Sequence, residues 1–177
     1  NDDARIIGDA QVSGNAKVYG NAKVTGKAKV TGKAQVAGKA QVSGYAFVSG
    51  DAIVSGEARV YGNAIISENA LVSGTAQVYG NARVSGNAKV DEDALVSDNA
   101  QIAGDAKVMH VSDYMVFKNN WSSGRYFTWT KSNDMWTVGC FYGTGDELIE
   151  KAYADSENSG KHYEAYVKFV ETLKNME

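Results

Sequence analysis

Proline is absent from all 177 residues, and cysteine and histidine are scarce: one Cys, at position 140, and two His, at 110 and 162. A chain without proline loses no backbone N–H anywhere, which suits a fold that pairs many strands. A lone Cys140 excludes an internal disulfide and fits a reducing compartment. Spacing of the C-x-x-C or H-E-x-x-H type is missing, so neither a metal nor a cofactor is expected. No apolar run is long enough to span a membrane and no signal peptide is visible, which sets the expectation of no membrane contact. The net charge of −3 argues against nucleic acid and against an anionic membrane as partners. The opening Asn in place of Met is what a fragment or a processed form would show.

What the chain does have is a repeat. Eighteen six-residue units of the form polar-Ala-x-Val-x-Gly run from Asp3 to about His110. Ala falls at 4, 10, 16 and every sixth residue to 106, with a Val or Ile two positions later. Gly closes fourteen of the eighteen units; Glu68, Glu92, Asp98 and His110 replace it elsewhere. A fixed period of six is a β-helix signature. In a short strand the Ala and the Val point to the same side, inward, where a small and a β-branched side chain fill a narrow prism. The residue between them points outward and varies, and Gly with the Asn or Asp that follows forms the corner. Three units close a triangle, so eighteen make six coils, stacked to roughly 29 Å at strand spacing.

The units GNAKVYG, GNARVSG and GDAIVSG resemble those of the hexapeptide-repeat left-handed parallel β-helix, a fold of acyltransferases and of many bacterial and phage proteins. The left hand is implied by that resemblance alone. The expected architecture is thus an all-β left-handed parallel β-helix over residues 1–110, followed by a small α+β unit over 111–177 that caps it or mediates interaction. Trimers formed through β-helix faces are common in the resembled family.

Placing the repeat on an eighteen-residue turn identifies stacked neighbours among the outward residues. Phe47 stands next to Ile65 on one face, Ile53 next to Leu71 on the next, and Tyr61 next to Tyr79 beside the third. Contiguous apolar area of this kind marks a contact. These six residues are the interface candidates, and the partner is another subunit, another protein or a folded-back C-terminal unit. Charge is uneven along the repeat: residues 11–40 hold six lysines and no acid, residues 91–105 five acids and no base. Solvated corners explain this, as does a polarity that guides association.

Acyltransferases of the resembled family use a coil histidine as general base and loops that protrude from the coils. Here the first seventeen units lack histidine and the register never breaks for a loop. His110, at the last corner, has Asp113 nearby as an orienting partner. Cys140 and His162 lie on different elements, with nothing to align them as nucleophile and base. An ice-binding face would need a regular threonine array, whereas the outward positions mix Thr25, Ser43, Tyr61 and Tyr79.

From Val111 the composition changes abruptly to bulky aromatics. Strands are expected at Tyr114–Lys118, Arg125–Thr130 and Trp136–Phe141, with turns at 119–124 and 132–134. Phe127 and Trp129 alternate to one side, as do Trp136, Val138 and Cys140, and all five are core candidates. Thr144 and Glu147 form a capping box that opens a helix to about Asp155. After a turn at Asp155–Gly160, a second helix is expected from about Lys161 to Lys174, with a stripe of Tyr163, Tyr166, Val167, Val170 and Leu173. Trp121, Arg125 and Tyr126, at the first turn, are the candidate ligand contacts, suited to stacking on a sugar or base.

The segment WTVGCFYGTGDELIEKA is similar to a module found behind hexapeptide repeats in phage and prophage proteins of unknown function. The expected function is a non-catalytic structural or protein-interaction scaffold, self-associating and cytoplasmic or virion-associated. The alternative is an acyl-CoA-dependent transferase with an atypical or shared active site.

Overall fold

A computed structural model describes residues 3–176. Eighteen two-residue strands, from Arg5–Ile6 to Lys107–Val108, assemble into three six-stranded parallel sheets. Each strand pairs with the one eighteen residues away, as in Arg5↔Lys23, Phe47↔Ile65 and Ile53↔Leu71. The six-coil solenoid expected from the repeat is thereby formed.

From Ala22 to Val108 every Ala and Val or Ile of the repeat is buried, at 0 to 1% exposure. Each Val taken from water contributes about 1.5–3 kcal/mol, and the pattern recurs in every coil. The corners explain the glycines. A Cβ on Gly50 (φ +71°) would lie 2.8 Å from the backbone N of Glu68 in the next coil, so glycine serves both the left-handed dihedral and the close stacking. Glu68, Glu92 and Asp98 keep the same positive φ of 54–60° without being glycine. Glu68 accepts a 2.6 Å hydrogen bond from the Gly86 N–H through Oε2, an interaction that offsets part of the dihedral cost.

Backbone N–H groups of each coil donate to carbonyls of the following one, as in Arg5 N to Ala22 O and Ile7 N to Val24 O, both 2.9 Å. At the C-terminal end the N–H groups of Gln101 and Lys107 have no following coil to bond, and neither has the carbonyl of Leu95.

The C-terminal end is closed by a four-stranded antiparallel sheet, in the order Tyr114–Lys118, Tyr126–Thr130, Met135–Val138, Phe141–Gly143. Alternation along these strands splits the sheet into two working faces. Tyr114 and Val116 pack on the solenoid core, and Met115, Phe117, Phe127, Trp129, Trp136 and Val138 pack on the helices. Thr128 Oγ1 accepts from the N–H of Gln101 at 2.9 Å, and Ser132 Oγ from that of Lys107 at 2.7 Å. Asp113 Oδ2 takes the N–H groups of Met109 and His110 at 2.8 and 2.9 Å. Four N–H groups of the last coil thus meet side-chain oxygens of the C-terminal unit.

Two helices cover the far face of the sheet: α1, Gly145–Asp155, and α2, Glu157–Lys174. The capping box forms, with Glu147 N to Thr144 Oγ1 at 3.3 Å and Thr144 N to Glu147 Oε2 at 2.7 Å.

Three expectations need correction. The sheet has four strands, because Gly139 adopts φ +60° and breaks the run Trp136–Phe141 into two. The same turn leaves Cys140 exposed, outside the core where alternation had placed it. The turn at Asp155–Gly160 shrinks to Ser156, which caps α2 by accepting from Ser159 N at 3.1 Å. Gly160 lies inside that helix because a Cβ there would run into the ring of Tyr153 on α1.

Candidate functional site

Two surfaces stand out. The first is on the middle coils, where the eighteen-residue register makes Phe47 and Ile65 direct neighbours, and likewise Ile53 and Leu71. All four are half-exposed. Phe47 and Ile53 belong to the third coil and Ile65 and Leu71 to the fourth, so they form a two-by-two block on adjacent faces. The C-terminal unit packs on the last coil through the strands at Gln101 and Lys107, not on this block. A fold-back within the chain therefore does not cover it. Tyr61 and Tyr79 stack with ring centroids 5.0 Å apart and planes within 1°, an offset pair anchored by Tyr61 OH to Gln77 Oε1 at 3.3 Å.

The second surface is a cleft of about 460 Å³ where the fifth and sixth coils meet the C-terminal unit. Asn81, Arg83, Asn99 and Gln101 form the solenoid wall, and Arg125 and Tyr126 the opposite one. Arg83 and Gln101 are register partners in one ladder. The turn carrying Arg125 is clamped by buried Asn119, whose N–H donates to Arg125 O at 2.9 Å and whose carbonyl accepts from Gly124 N at 2.7 Å. Asn119 Oδ1 also accepts from Ser122 N at 3.2 Å. Lys118 Nζ sits 5.3 Å from the Tyr126 ring centre, a cation–π contact that orients the ring.

Of the three residues expected to touch a ligand, Arg125 and Tyr126 line this cleft. Trp121 does not; it projects from the turn at 74% exposure and stacks on no other ring among the described residues. Arg83, Asn81, Asn99 and Gln101 escaped the sequence reasoning. Arg83 and Gln101 were legible as stacked neighbours, but which coil lies under the Asn119–Gly124 turn depends on how the cap docks.

His110 pairs with Asp93, Nδ1 to Oδ1 at 2.9 Å, rather than with Asp113, which is engaged with backbone N–H groups. Hydrogen bonding to Asp93 raises its pKa above the usual histidine value, with Asp113 and Glu92 adding in the same direction. His162 Nδ1 contacts the carbonyl of Asn158 at 2.7 Å, within its own helix. Among the described residues no cluster of three or more metal-ligating side chains occurs, and no helix is long and apolar enough to cross a membrane.

Three stretches, residues 10–26, 58–74 and 76–91, match the family model of the YdcK beta solenoid repeat. Neither the curated proteins nor the solved structures yield a match. All three stretches lie within the stacked coils, and sequence match and geometry agree that this chain is a parallel β-solenoid repeat protein.

Proposed function

We propose that the protein is a non-catalytic scaffold that binds further copies of itself through its solenoid faces. The observation that carries this reading is the apolar block Phe47, Ile65, Ile53 and Leu71, half-exposed on two adjacent faces at the same height. A rotation axis parallel to the solenoid keeps heights equal. It sets Phe47 and Ile65 of one protomer against Ile53 and Leu71 of the next, a heterologous contact that closes into a ring. A trimer is the form we propose, and the Tyr61–Tyr79 stack is a further candidate contact. The setting we propose is a phage- or prophage-associated shaft or binding module, supported by the similarity of the segment around Trp136–Ala152 to modules of such proteins.

The test is mass in solution. Light scattering on the whole chain is expected to give a multiple of the 18.9 kDa protomer, falling to one protomer when Phe47→Lys and Ile65→Lys are combined. A monomeric parent chain, or an oligomer indifferent to both changes, overturns the interface. Saturable binding of acetyl-CoA in calorimetry overturns the non-catalytic reading in favour of acyl transfer.

A further inference from the structure

We propose that the cleft between Arg83 and Arg125 binds an acidic saccharide, with the carboxylate held between the two guanidinium groups and the sugar hydroxyls on the neighbouring amides. The site adjoins the apolar block, because Arg83 is the ladder partner of Ile65, but it is built from different side chains.

The charge argument comes first. Both arginines line one cleft that no Asp or Glu lines, and neither side chain makes a hydrogen bond or ion pair among the described residues. Arg5, by contrast, is paired with Asp3 at 2.9 Å. An anion placed between two unneutralised arginines gains bidentate, charge-assisted hydrogen bonds.

The remaining walls select the kind of anion. A bare phosphate or carboxylate ion would use only the arginines. Here Asn99 and Gln101 bring side-chain amides with no hydrogen-bond partner among the described residues, and each offers both donors and an acceptor. Asn81 accepts from Asn63 through its Oδ1 at 3.1 Å, which leaves its NH₂ for a ligand. Amides that both donate and accept match hydroxyl groups, and exposed Tyr126 adds an aromatic surface for a sugar ring. The volume of about 460 Å³ falls in the range of small-ligand sites. A long polyanion fits less well, because Asp91, Glu92, Asp93 and Asp98 crowd the same end of the solenoid.

The site is also rigid. Arg83 and Gln101 stand on a hydrogen-bonded ladder, and Gln101 is tied to the cap through Thr128 at 2.9 Å. The three bonds made by Asn119 fix the turn that carries Arg125. Binding then has only the side chains to order, not the backbone that carries them.

Calorimetry on the whole chain with trigalacturonic acid tests this, with its neutral methyl ester and sodium phosphate as comparison titrants. The acid trimer is expected to bind. Arg83→Gln and Arg125→Gln are each expected to weaken it about tenfold, and the double variant to abolish measurable heat. The ester is expected to bind at least about tenfold more weakly than the acid. Both arginines are exposed, so melting curves of the variants should overlay that of the parent chain. No heat with the acid trimer, or an affinity unchanged in both variants, overturns the site. Phosphate binding as tightly as the trimer overturns the saccharide in favour of a simple anion site.

Discussion

The two ends of the solenoid are built from the same six-residue unit and meet opposite fates. At the C-terminal end Thr128, Ser132 and Asp113 accept the backbone N–H groups of the last coil, and Val108 beneath them is fully buried. At the N-terminal end Ala10, Val12, Ala16 and Val18 of the first coil are only half-buried, and Ile6 is 52% exposed. Carbonyls equivalent to those of Ala22 and Val24 meet no donor there among the described residues. The repeat supplies stacking but not termination. Termination is a separate task, met with side-chain oxygens for the Gln101 and Lys107 N–H groups and with the Tyr114 hydroxyl for the Leu95 carbonyl.

One substitution made at both ends gives the largest expected contrast. Val108→Asp buries an unpaired carboxylate under the cap and is expected to cost about 4 kcal/mol or more, whereas Val12→Asp leaves the charge near water and should cost about 1 kcal/mol. Urea denaturation measures both, and equal losses would show that the two ends do not differ in the way described. A smaller effect is expected from Thr128→Val, which keeps the shape but leaves the Gln101 N–H without its partner. A loss of about 1–3 kcal/mol follows, and no loss would mean that the hydroxyl does not terminate the strand.

The smallest effect is one of pH. Hydrogen bonding to Asp93 raises the pKa of His110 in the folded state, so the stabilisation is fully present below the unfolded histidine value near 6.5 and disappears as pH rises through the folded one. The melting temperature of the parent chain should therefore decline slightly from about pH 6 to 8, and this component should vanish in His110→Asn. A slope that persists in the variant assigns it to other groups.

The solenoid was legible because one local rule, small and β-branched side chains two apart, dictates every interior contact. Within the C-terminal unit, alternation located Phe127 and Trp129, and capping chemistry located Thr144. Cys140 was misplaced because periodicity says nothing about the positive φ at Gly139. The start of α2 was missed because Gly160 reads as a breaker until the ring of Tyr153 is known to need the space. The cleft was half legible: Arg125 and Tyr126 sit in a conspicuous turn, but Arg83 gained its role only from the docking of two units distant in sequence.

The axial direction of the inter-coil hydrogen bonds has a mechanical consequence. Tension applied along the solenoid loads the coils in series, so they should peel away one after another rather than shear together. Each eighteen-residue coil released would pay out about 60 Å of extended chain. The open first coil, with the least buried interior, is where peeling would begin. Compression meets the stacked backbone corners instead, so the same rod is compliant when pulled and stiff when pushed.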